Sequence, residues 1–129
     1  MRTLGILLSV LFSTNLNAAT FAERVAIAKK IESQQATQDY FLKGLFPAIG
    51  PVMGGIMHEC LSHPEASTEK FTLIANVAES GQLVDIDVEP KSNNTAVCFA
   101  KAFATLTAPP PPLCDCGVLP VVIDMGVKP

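Results

Sequence analysis

Charge and histidine are both scarce in this chain. Only 16% of its 129 residues are charged, with nine basic against twelve acidic side chains and a net charge of −3. No basic stripe exists, so nucleic acid and anionic membrane surfaces are poor partners. Two histidines, His58 and His63, are the whole supply. No Cys-His-Asn or Ser-His-Asp triad can be built away from them. A glycine loop suited to phosphate is missing, and no internal repeat is visible. Low charge together with 49% hydrophobic residues argues against disorder and for a folded domain.

Long apolar runs are also missing. The longest at the N-terminus, Leu4 to Phe12, has nine residues, whereas a spanning helix needs about 20. Arg2 precedes it and Ala18 offers a small residue for cleavage, so residues 1–18 read as a secretory signal. No cysteine sits near that point, which speaks against a lipoprotein. Cleavage leaves no membrane anchor, and removes Arg2, making the remainder one unit more acidic. The expected location is the periplasm or the exterior.

Four cysteines follow the signal: Cys60, Cys98, Cys114 and Cys116. An even number in an exported chain favours disulfides, with three pairings open. Cys60 and Cys98 fall in helical segments, and a bond between them would pin those segments together. Cys114-Asp115-Cys116 is a C-x-C pair, which can be a structural staple or a strained, readily reduced bond.

Thr20-Phe21-Ala22-Glu23 is a capping box, followed by a helical stripe of Phe21, Val25, Ala28 and Ile31. Tyr40, Phe41, Leu42, Leu45 and Phe46 form an apolar cluster expected to end at Pro47. Pro51 then fits the first turn of a new helix, with Met53, Ile56, Met57, Cys60 and Leu61 on one stripe. Gly54 and Gly55 would let another element pack close. The helix should stop near Ser62.

The period then changes. Phe71 to Ala78 reads as a strand, and Glu79-Ser80-Gly81-Gln82 as a turn with positive φ at Gly81. Leu83 to Val88 alternates, with Val84, Ile86 and Val88 on one face and Leu83, Asp85 and Asp87 on the other. Asn93 or Asn94 caps a helix expected over 95–106. Pro109 to Pro112 end it in an extended stretch. The segment Val118 to Met125 reads as a last strand, with Pro120 marking it as an edge. Residues 19–129 are thus one α+β domain. Its helical part is 19–63, and a two-layer β-β-α-β unit with helices on one face spans 71–125.

Several residue groups have the composition of chemical sites. His58-Glu59-Cys60-Leu61-Ser62-His63 lacks the second histidine that a zinc-protease motif needs four residues after the first. Asp85 and Asp87 share a strand face and read as a solvated surface. Asn93-Asn94-Thr95 fits a glycosylation acceptor. No nucleophile–base pair stands out, and neither cofactor nor metal is called for. The chain is not expected to be an enzyme.

From Phe71 onward the chain resembles the TonB C-terminal domain family, particularly its cysteine-containing AgmX/PglI-type branch. The resemblance rests on FTLIANVAESGQLVDIDVEP, AVCFAKAFATL, APPPPL and VLPVVIDM. In that branch an upstream helix supplies another cysteine, a position Cys60 would match. The resemblance implies a β-β-α-β fold and capture of a protein or peptide partner by pairing at the last strand, through Val118, Val121, Ile123 and Met125. The long spacer and retained anchor of TonB itself are absent from the match, so the expectation is a freestanding adaptor. An exported immunity or inhibitor protein, or a thiol-redox or metal protein using Cys114 and Cys116, are the alternatives.

Overall fold

The computed structural model describes residues 19–114 and 117–126; the signal reading and most of the C-x-C reading fall outside them. Helix α1 (Phe21–Glu32) begins at the capping box. The Thr20 hydroxyl accepts from the Glu23 N–H at 3.1 Å, and the Glu23 carboxylate accepts from the Thr20 N–H at 2.9 Å. Ser33-Gln34 interrupts the helix, as polar residues that bond locally tend to.

Helix α2 then runs without a break over Gln35–Leu61. The expected stop at Pro47 and restart at Pro51 do not occur. Residues Phe41–Leu45 form a π turn, in which the Phe46 N–H donates to the Phe41 carbonyl. This wider turn makes room for Pro47, whose ring would crowd a regular helix. Pro47 and Pro51 are both exposed, so carbonyls they leave unserved are on the wet side. By length and composition α2 could cross a membrane. Its stripe of Phe41, Leu45, Ile49 and Cys60 is buried in the domain. Leu42 and Phe46 stay on the outside, and Gly54 and Gly55 face open space with nothing packed on them.

Strands β1 (Phe71–Val77), β2 (Leu83–Glu89) and β3 (Leu119–Met125) form one antiparallel sheet in the order β2-β1-β3. Helix α3 (Asn94–Phe103) links β2 to β3 and packs on the sheet and on α2. It ends earlier than its pattern suggested, in tight turns through Leu106. Its N-cap Asn93 is fully engaged. The amide oxygen accepts from the Ala96 N–H and the amide nitrogen donates to the Glu69 carbonyl, both at 2.9 Å. Thr95 likewise exchanges two 2.8 Å bonds with the Ser67 backbone. These bonds tie the connector before β1 to the start of α3.

The core lies on one face of the sheet. Phe71, Leu73, Ala75 and Val77 of β1 meet Phe99 and Phe103 of α3, Leu119 and Val121 of β3, and the α2 stripe. Fully burying each phenylalanine is worth about 2–3 kcal/mol. The Cys60–Cys98 disulfide joins α2 to α3, with Cα atoms 5.8 Å apart. The pairing expected from the two helical segments is thus present.

The β-β-α-β unit has the two layers expected of it, and α1 adds a third on the opposite face of the sheet. Ala28 and Ile74 are buried outside the main core. Arg24 reaches the Asp85 carbonyl at 2.6 Å, and Phe21 stands over Thr72, Glu89 and Asp124. The expectation that all helices share one face therefore does not extend to α1.

The hairpin alternation also changes midway. Leu73 pairs with Val88 and Val77 with Leu83, with a register shift between. The extra residue sits at Asp85, whose φ is +53°, a conformation aspartate tolerates better than most. A bulge flips the phase of the strand. Leu83 consequently joins Val88 in the core, and Val84 moves to the other face.

Gly81 fixes the turn between these strands. Its φ is +92°, and its carbonyl accepts from the Ala108 N–H at 2.8 Å. A Cβ there would lie 1.9 Å from the Ala108 carbonyl oxygen. Only glycine permits that approach.

Candidate functional site

The sheet has two edges, and the ladder pattern shows which groups each presents. The Ala78 N–H donates to the Gln82 carbonyl across the hairpin, so the even-numbered residues of β1 point toward β2. The odd-numbered ones point toward β3. Their partners in β3 are Leu119, Val121, Ile123 and Met125. The backbone groups of Pro120, Val122 and Asp124 therefore point outward. Pro120 fits this phase, since proline is tolerated only where its nitrogen faces away from the ladder.

The β2 edge is closed by its own side chains. The outward N–H of Val88 donates to Asp87 Oδ1 at 2.9 Å. The Asp85 carbonyl accepts from Arg24, and the bulge bends the strand at that point. Lys91 Nζ sits 2.6 Å from Asp87. Partial burial pushes the Asp87 carboxyl up. Hydrogen bonds from Lys91 and from the Val88 N–H, and the charges of Lys91 and Arg24, outweigh it and hold the group below its ordinary value.

The β3 edge has no such closure. All seven residues pair with β1 in unbroken register. Among the described residues, the outward N–H and C=O groups of Val122 and Asp124 have no bonded partner. At the strand's start, the Val118 carbonyl accepts from the Cys114 N–H at 3.1 Å and ends the available edge. Of the residues expected to bind a partner, Val121 is buried in the core, and Ile123 and Met125 pack against it. Val118 precedes the strand. Their side chains hold β3 in place, while the backbone of Pro120, Val122 and Asp124 faces out. Strand phase carried this distinction, but it needed the pairing partners to be known.

An open cavity of about 640 Å³ adjoins the end of this edge, on the α1 face. Phe21, Thr72, Glu89 and Asp124 line it, with Lys70 and Met125 at its side. Thr72 pairs with Glu89 on one side and Asp124 on the other, and its hydroxyl donates to Asp124 Oδ1 at 2.9 Å. Among the described residues the one ion pair is Lys91–Asp87, so Asp124 holds no cation.

The other candidate groups of the sequence are dispersed. His58 and His63 are exposed at the end of α2, and Cys60 is taken by its disulfide. Among the described residues, no three of His, Cys, Asp and Glu are placed to share a metal. Asp85 accepts from Asn76 Nδ2 at 3.1 Å while Asp87 serves Lys91 and Val88, so the two do not act as a pair. Asn93 of the glycosylation pattern is 2% exposed and doubly bonded, which closes it to modification in the folded state. Tyr40 donates to the Pro109 carbonyl at 2.6 Å, and its partial burial pushes the phenol up to about 12. It anchors the proline stretch to α2. No family model, no curated protein and no solved structure matches this chain.

Proposed function

We propose that this chain is an exported, disulfide-stapled binding domain that captures an extended segment of a protein partner along β3. The observation that carries the reading is the unpaired backbone of Val122 and Asp124 on an edge strand of regular register. Such an edge accepts an added strand, with main-chain bonds supplying affinity. The resemblance to the TonB C-terminal domain family favours the same mode at the same strand. The signal-like N-terminus and the Cys60–Cys98 bond favour an oxidising, extracytoplasmic setting.

Val122→Pro tests this. The Val122 N–H faces away from β1, so proline there keeps the ladder intact, as Pro120 already does, and removes one donor from the edge. A displayed peptide library is selected on the wild-type domain, and the peptides obtained are then measured against the variant. Binding should fall at least tenfold, and bound peptide should slow hydrogen exchange at the Val122 and Asp124 amides. Equal binding to Val122→Pro, or no effect on those amides, overturns the reading.

A further inference from the structure

The edge also limits what can sit on it. We infer that the captured segment is short and extended, alternates apolar residues toward the core face, and carries a lysine or arginine opposite Asp124. This rests on the strand-capture reading above and adds the chemistry of the partner.

Length follows from the ends. The Val118 carbonyl is occupied by the Cys114 N–H, and β3 stops at Met125. Pro120 is buried, so the groups on offer run from the Val122 N–H to the Asp124 carbonyl. A partner strand that covers them and reaches one residue past each end needs about five residues at the usual rise.

Pattern follows from phase. Residues opposite Val121 and Ile123 would place their side chains beside those two on the core face, where Ile123 is only partly covered. Apolar side chains there extend the core outward. The residue opposite Val122 would lie on the α1 face, continuing the row of Ile74 and Val122, and suits a β-branched side chain.

Charge follows from the next row. Glu89, Thr72 and Asp124 stand side by side across the three strands on the α1 face. An added strand would put a fourth side chain beside Asp124, at the rim of the cavity under Phe21. A carboxylate there would face Asp124 directly and be repelled, while a cation would pair with it. A long aliphatic stem there would also lie along Phe21.

Two synthetic peptides decide the matter: Lys-Val-Val-Ile-Ser flanked by glycines, and the same peptide with Glu for Lys. Each is also made in reversed order, so that both strand directions are covered. Binding to the labelled full-length domain is followed by amide shifts at Val122 and Asp124. The lysine peptide should bind about fivefold or more tightly than its glutamate counterpart, and added salt should shrink the gap. Asp124→Asn, which can still accept from Thr72, should bring the two within about twofold. Equal binding of both peptides at these amides overturns the charge assignment and leaves strand capture standing. No shift at these amides with any peptide overturns strand capture and this inference with it. Concentration-dependent protection of Val122 without peptide would make a second copy of the chain the occupant, and overturn the inference as well.

Discussion

The two outer strands of the sheet have equal length and share one central strand, yet they end the sheet in different ways. β2 reads Leu-Val-Asp-Ile-Asp-Val-Glu and β3 reads Leu-Pro-Val-Val-Ile-Asp-Met. One acid of β2 is spent on its own backbone, Asp87 covering the Val88 N–H, and the bulge at Asp85 turns that residue's carbonyl to Arg24. β3 has a single acid and no bulge, and the outward groups of Val122 and Asp124 have no bonded partner among the described residues. Bulges and charges are the usual means of keeping an edge from pairing with strangers. Their concentration on one edge marks the other as the one left for a partner.

The largest effect should come from breaking the closed side at its turn. Gly81→Val would place a side chain into the Ala108 carbonyl and force a β-branched residue to a φ of +92°. Both faults together put it in the rare class above about 4 kcal/mol. Urea unfolding should show loss of most of the domain's stability. A smaller loss would mean that the hairpin is fastened mainly by its strands.

Removing the disulfide should cost less and leave the contrast between edges intact. Closing 38 residues of chain stabilises by about 4 kcal/mol in the chain-entropy model, less any strain. Cys60→Ala with Cys98→Ala should lower stability by about 2–4 kcal/mol. Amide exchange should still rank Val122 as faster than Val88. A reversal of that order would show that the α2–α3 staple, and not local capping, sets the edges apart.

Much of this architecture was legible in the residues. The Thr20/Glu23 box, the Phe71 strand, the Gly81 turn and a cap at Asn93 or Asn94 each rest on local chemistry that the sequence displays, while in the sequence the Cys60–Cys98 link is one of three open pairings, favoured because both cysteines fall in helical segments. What escaped depended on partners distant in the chain. Pro47 and Pro51 looked like helix ends because the π turn that accommodates Pro47 has no side-chain signature. Asp85 looked like an ordinary outward residue because a bulge is a property of the pair of strands. The placement of α1 on the second face turns on Ile74, a residue that an alternating strand buried on one side would leave exposed. The outward phase of Val122 and Asp124 likewise required the register with β1.

Asp87→Ala sharpens the comparison directly. The side chain is partly exposed and its pair with Lys91 lies at the surface, so the loss of stability should stay below about 1 kcal/mol. The consequence for the edge should be larger than that for the fold. With its acceptor gone, the Val88 amide should exchange nearly as fast as that of Val122, as read by hydrogen–deuterium exchange. Continued protection at Val88 would mean that packing, and not the Asp87 carboxylate, closes this edge.

The smallest effect is a titration. Asp87 is held below its ordinary value of 3.8, so the fold favours its charged form. Its contribution is therefore present above about pH 4 and is lost as pH falls through the lower folded value. Glu23 behaves in the same sense, held below 4.5 by the Thr20 N–H and then the Thr20 hydroxyl. Protonation of Asp87 weakens the bond from Val88, so the Val88 amide proton should shift with a midpoint below 3.8. Val122, whose amide bonds to no carboxylate, should show no step at that midpoint. In Asp87→Asn the Val88 step should vanish while the fold persists. A Val88 step that survives the substitution would assign it to another acid, and the closed edge would then owe less to Asp87 than the geometry indicates.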